Sequence, residues 1–176
     1  MEKYEEKRRI TGNNGFADIP EVAQDTVNVI AGMTSLGIEP SDIRMIKDAS
    51  HACIKTLFKD LRKEVMNDDI PTLIFFYYAG HGMCNNLTYA VLNEEKTYPL
   101  EGNLRALAAD EDYDTFIIGL FDCCREKVVA VEGDRGSGDH AGMNLILSFG
   151  CSPNNTTPKK STIAVNYFEH LKLRAN

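Results

Sequence analysis

No apolar run in the sequence approaches the roughly 20 residues needed to cross a bilayer as a helix, so no transmembrane span is expected. The amino terminus, Met1-Glu2-Lys3-Tyr4-Glu5-Glu6-Lys7-Arg8-Arg9, has no apolar stretch and is not expected to act as a signal peptide, which makes a cytoplasmic location the expectation. Positive charge is in deficit. Lys+Arg 19 against Asp+Glu 26 gives a formal net charge of -7, which argues against a general binder of nucleic acid or anionic membranes and is compatible with a basic substrate. The five cysteines, Cys53, Cys84, Cys123, Cys124 and Cys151, show no repeated CxxC spacing and no His/Cys pairing of the zinc-site kind. Neither a disulfide framework nor a metal site is therefore expected, and free thiols in a reducing compartment are. Internal repeats and low-complexity tracts are absent as well, and 176 residues suit one domain with a sizeable core.

What is present is a pair of apolar runs, each ending in reactive side chains. The first is Thr72-Leu73-Ile74-Phe75-Phe76-Tyr77-Tyr78-Ala79, followed at once by Gly80-His81-Gly82. The second is Thr115-Phe116-Ile117-Ile118-Gly119-Leu120-Phe121, followed by Asp122-Cys123-Cys124-Arg125-Glu126. Short runs rich in aromatic and β-branched residues predict strands buried on both faces, as in a parallel sheet covered by helices. If the two are parallel neighbours, their carboxyl ends lie together where open α/β sheets place their ligand sites.

Around them the chain alternates. After a polar segment, residues 1–15, Pro20 precedes a predicted helix from Glu21 to Leu36, with Gly37 as its stop. Ile43-Arg44-Met45-Ile46 reads as a short strand, and Ala49 to Met66 as a long amphipathic helix. A strand or hairpin arm is expected at Leu87–Leu92, a helix from about Leu100 to Ala109, a strand at Asn144–Phe149 and a last helix from Ser161 to about Leu173. The glycine-rich, charged stretch around 133–142 predicts a mobile loop. The class is α/β with a mostly parallel sheet.

The chemistry follows from the two strand ends. A thiol is a good nucleophile only as thiolate, and a neighbouring imidazole generates that form. His81 and Cys124, or Cys123, stand where parallel pairing would bring them close. The glycines beside His81 allow a sharp turn and let the Gly82 N–H face an oxyanion, with the N–H of the cysteine as second donor. Such a site performs acyl transfer.

Phe75-Phe76-Tyr77-Tyr78-Ala79-Gly80-His81-Gly82 together with Leu120-Phe121-Asp122-Cys123-Cys124-Arg125 resembles the paired signature of caspase-like cysteine peptidases, above all paracaspases and metacaspases. The resemblance runs from about Phe16 to Leu173. It implies a three-layer α/β/α sandwich over residues 16–176, large-subunit-like to about 130, with a mobile loop at 131–143 and the start of a small-subunit-like part at 144–176. It implies a Cys–His dyad of His81 and Cys124, with Gly82 and Cys124 N–H groups as oxyanion hole. Acidic Asp122 matches the branch that cuts after Arg or Lys, and Asp25 resembles that branch's second acidic residue. A carboxylate ordering a turn, for Asp122, and a charge complementing the helix dipole, for Asp25, are the plainer alternatives. Arg135 and Lys127 resemble self-processing positions, although a tolerated surface loop is the ordinary reading of the stretch.

The resemblance also implies protein or peptide substrates with Arg or Lys at the cleavage site, no required cofactor, calcium activation as in many metacaspases, and a homodimer. The position of the usual first strand holds Lys7-Arg8-Arg9-Ile10-Thr11, too charged for burial on both faces, so that strand is expected to be weak or missing. This departure keeps a second reading open, a catalytically inactive caspase-fold module used for protein association or regulation. Arg125 is expected as an exposed strand-end charge. Cys84 has no assigned role, Cys53 and Cys151 are expected in the core or near the surface, and His51, His140 and His170 in solvated or packing roles.

Overall fold

The computed structural model describes residues 19, 21–67, 71–92, 97–109, 114–127, 144–152, 163 and 166–168. In chain order its elements are helix α1 (Glu21–Ser35), a 3-10 turn (Pro40–Asp42), α2 (His51–Asn67), strands β1 (Thr72–Gly80), β2 (Gly82–Asn85), β3 (Leu87–Val91) and β4 (Thr97–Tyr98), α3 (Leu100–Ala108), β5 (Thr115–Cys123), β6 (Glu126–Lys127) and β7 (Leu145–Phe149). Ile163 and residues 166–168 are helical, inside the helix predicted from Ser161. The predicted first strand, the 15/16 boundary and the loop at 131–143 lie outside the described residues.

The two apolar runs form the centre. β1 and β5 pair in parallel from Thr72–Thr115 to Gly80–Cys123, and β7 adds to the far side of β5, giving the order β1-β5-β7. Side chains alternate across this sheet. Ile74, Phe76, Ile117, Phe121 and Cys123 point into one core layer, where Ile54, Phe58 and Val65 of α2 and Leu100, Leu104 and Leu107 of α3 cover them. Phe75 and Tyr77 point the other way, against Val29 and Met33 of α1 and against Tyr167 and Phe168. The result is the helix–sheet–helix sandwich that the sequence predicts.

A second, four-stranded sheet in the order β4-β3-β2-β6 stands beyond the carboxyl end of β1. Only its β3 was expected. The β2–β3 hairpin turns at Asn86, which takes φ 65, a left-handed conformation that asparagine tolerates better than most residues.

Two expectations need correction. Ile43–Ile46 is not a strand: Ile43 has extended dihedrals and packs toward α1, but no described strand lies beside it, and Met45 and Ile46 are exposed. Apolar alternation without a neighbour to supply hydrogen bonds leaves extended coil. β1 is half-buried over most of its length instead of buried on both faces, because it is the edge of the described sheet, whereas central β5 is buried almost throughout.

Candidate active site

β1 ends in Gly80, whose φ of +151 lies in a region that side chains rarely adopt; a Cβ there would also stand 3.0 Å from the Tyr78 hydroxyl. The next residue is His81, and its backbone is held twice. Its carbonyl accepts a hydrogen bond from the Tyr78 hydroxyl at 2.7 Å and from the Val91 N–H at 2.8 Å. The chain then enters β2 through Gly82, where a Cβ would lie 2.6 Å from the Cys123 Sγ and 2.6 Å from the Cys124 carbonyl oxygen. Glycine is needed at 82 because the histidine-bearing segment and the cysteine-bearing strand approach backbone to backbone.

The last rung of the β1–β5 ladder is Gly80–Cys123. One residue further along each strand are His81 and Cys124. Register and close approach thus bring the predicted histidine and thiol to the same edge of the sheet.

The alternation also separates the two adjacent cysteines. Cys123 shares the face of Phe121, is 1% exposed and belongs to the main core layer, whereas Cys124 is half-buried. Burial first, then the neighbouring Cys151 and Cys124, push the Cys123 thiol far above its ordinary range, with Arg125 opposing weakly. Cys123 is therefore a protonated core thiol. By the same parity Asp122 stands on the α1 face with Ala79, its partner in the ladder.

On that face lies a residue that the sequence reading missed. The Tyr77 hydroxyl faces Asp122 Oδ2 at 3.5 Å, a long contact. Burial, then the charges of Asp122 and Asp25, push the Tyr77 hydroxyl strongly upward, so both predicted carboxylates lie close enough to bear on one phenol. Asp122 itself is buried. The signal available in the sequence was parity: Tyr77, Ala79 and His81 are two apart.

Arg125 corrects its expectation outright. It is 8% exposed; its Nε donates to the Thr88 hydroxyl at 3.1 Å, its guanidinium carbon sits 3.9 Å from the centre of the Phe149 ring, and its Nη2 lies 4.0 Å from Glu101 Oε2. An aromatic face and a buried carboxylate give the guanidinium a better place inside than a strand end would offer outside. Cys84 is buried beside it, with its Sγ 3.9 Å from Arg125 Nη2.

Of the remaining thiols, Cys53 is exposed, and Cys151 is half-buried with its Sγ 3.4 Å from the Cys123 carbonyl oxygen. His51 opens α2 and packs edge-on against Tyr98 at 5.2 Å. Lys127 lies in β6, level with Cys84 of β2, so cleavage after it would require that pairing to open. Arg135, His140 and His170 lie outside the described residues.

Among the described residues no group of three or more His, Cys, Asp or Glu side chains is placed to hold a metal ion. None of the described helices is long and apolar enough to cross a membrane.

Residues 9–169 match the caspase domain family. Among curated proteins none matches the chain. Because the family match runs from before α1 through both strand ends and on to the residues that pack beneath Phe75, the chain belongs to the caspase domain family of cysteine peptidases.

Proposed function

We propose that the protein is an endopeptidase that cuts after Arg or Lys, with Cys124 as nucleophile and His81 as general base and acid. The observation that supports this reading is the in-register pairing of β1 with β5, whose last rung, Gly80–Cys123, lies one residue before His81 and Cys124. The Cys124 thiol gives its proton to the His81 imidazole, and the thiolate so formed attacks the scissile carbonyl carbon. The oxyanion forms toward the N–H groups of Gly82 and Cys124. The imidazolium then protonates the leaving amine, and water, deprotonated by the same imidazole, hydrolyses the thioester.

Preference for a basic side chain is supported by the acidic face around Tyr77. Asp122 is buried, and a carboxylate there gains from a guanidinium far more than an exposed one would. Asp25 adds a second negative charge from the first turns of α1. This chemistry needs no cofactor, and no step runs through calcium.

Hydrolysis of short fluorogenic peptides ending in Arg, Lys or Asp, with and without calcium, tests the reading. Turnover after Arg or Lys should vanish in Cys124→Ala and survive in Cys123→Ala. Absence of turnover from folded wild type under every condition would defeat it in favour of an inactive association module.

A further inference from the structure

Two of the most deeply buried charges in the described molecule, Glu101 and Arg125, take no part in the reaction drawn above. They meet at the residue that follows Cys124 in the chain. Glu101, in the first turn of α3, is 3% exposed; its Oε2 accepts the Thr88 N–H at 2.9 Å, and its Oε1 accepts both Nε and Nη2 of Arg105 at 3.0 and 2.9 Å. Arg125 closes a ring through the same residue, donating to the Thr88 hydroxyl at 3.1 Å while its Nη2 stands 4.0 Å from Glu101 Oε2. Its planar face covers Phe149 of β7, and Phe149 in turn stacks on Phe121 of β5 with ring centres 5.2 Å apart.

One side chain thus ties α3, β3 and β7 together, and it belongs to the residue immediately after Cys124. The residue immediately before, Cys123, is fixed in the core. Cys124 is the half-buried link between two buried anchors. A thiol held this way cannot swing with its backbone, whereas an exposed arginine at 125 would leave the carboxyl side of Cys124 to the β2–β6 pairing that begins two residues on.

We propose that Arg125, held by Glu101 and Thr88, is a positioning residue that fixes the Cys124 backbone and so aims its thiol and N–H at the substrate carbonyl. The proposal rests on Cys124 being the nucleophile and adds a residue that acts through it. A guanidinium is required, because the contact to the Thr88 hydroxyl and the cover over Phe149 use its edge and its face at once.

The test compares wild type with Arg125→Gln, Arg125→Lys and Ile54→Ala. Ile54 is buried in α2 and is none of the residues named as contacts of Arg125, so its variant serves as a control that loses stability without removing a member of the network. Two quantities are measured on protein shown to be folded by circular dichroism: kcat and KM on an Arg peptide, and the rate of Cys124 alkylation by iodoacetamide across a range of pH. Arg125→Gln should lose about 10²-fold in kcat with KM little changed, the scale on which misplacing a reacting group is felt. Its alkylation profile should shift as well. Arg125→Lys should recover only a part, and Ile54→Ala should match wild type in both.

Wild-type kcat and an unmoved alkylation profile in folded Arg125→Gln would overturn the proposal, as would an equal loss in Ile54→Ala. If Arg125→Gln does not fold, Thr88→Val and Thr88→Ser carry the test: the first should lose activity and the second keep it, and equal behaviour of the two would overturn the proposal. If wild type itself hydrolyses no peptide, the peptidase reading fails separately, and the alkylation rates decide whether Arg125 positions Cys124.

Discussion

Cys123 and Cys124 are neighbours in sequence with opposite surroundings, and that contrast makes a prediction about pH. An ordinary thiol of this kind titrates near 9.0, and burial holds that of Cys123 above this value in the native state. Below that pH both the folded and unfolded forms keep the proton, so the full contribution to stability is present. Above it the unfolded chain releases the proton and the folded one does not, so stability falls by about 1.4 kcal/mol per pH unit from this group. Urea midpoints measured at rising alkaline pH should therefore fall more steeply in wild type than in Cys123→Ala. The variant should itself be less stable at neutral pH by about 1–2 kcal/mol, the cost of emptying a small apolar site. Equal slopes would show that the Cys123 thiol is not held protonated.

Gly82 gives the second prediction at this scale. In Gly82→Ala the new methyl meets the Cys123 sulfur and the Cys124 carbonyl at distances that side chains do not tolerate, and the carbonyl is backbone. Relief requires the histidine segment and the cysteine strand to separate. The expected loss is about 10²-fold or more in kcat. A variant with wild-type kcat would mean that this approach has no part in the reaction.

At the scale of elements, α1 illustrates a conflict between local and tertiary preference. Gly32 lies inside the helix, where alanine would be favoured by about 1 kcal/mol. A Cβ at that position, however, would stand 2.4 Å from the Phe168 ring, and that ring is already backed by Phe75 and Tyr167 at 5.4 and 5.8 Å. Overpacking a rigid aromatic costs about 1–3 kcal/mol, so the clash should outweigh the propensity. Gly32→Ala is expected to lower the midpoint of thermal unfolding, and a rise would show that Phe168 can yield.

The elements were legible in unequal measure. β1, β5, α1, α2 and α3 were visible because length and apolar spacing mark them. β2, β4 and β6 have two to four residues and carry no periodic signal; they exist because β3 and the ends of β1 and β5 bring backbone to pair with. Ile43–Ile46 had the converse fate, a strand-like pattern with no described partner. At the site, His81 and the cysteine pair were legible from their strand ends. Tyr77 was missed because an aromatic in an apolar run looks like core, and Arg125 was misjudged because its cover, Phe149 and Glu101, is distant in sequence.

For the whole molecule, the formal net charge of -7 includes the local carboxylates Asp122 and Asp25. A cationic peptide is drawn toward such a surface, and salt screens the attraction over about 8 Å at physiological ionic strength. Raising ionic strength should therefore lower kcat/KM for Arg and Lys peptides while leaving kcat nearly constant. Insensitivity of kcat/KM to salt would show that the acidic balance plays no part in capture.

The opposite fates of two adjacent thiols have a consequence for how such a gene can fail. Which sulfur lies in the main core layer depends on an even or odd count of residues along β5, not on the sulfur itself. Deletion of one codon between Phe116 and Leu120 would advance the count by one, moving Cys123 to the α1 face in the place of Asp122 and sending Cys124 into the core. The product would keep its histidine, both cysteines and nearly its whole composition, yet the imidazole would face a thiol whose backbone lies out of step with it. Under the proposed dyad, inactive copies of this chain can therefore arise by length alone, with His81 and both cysteines still in place.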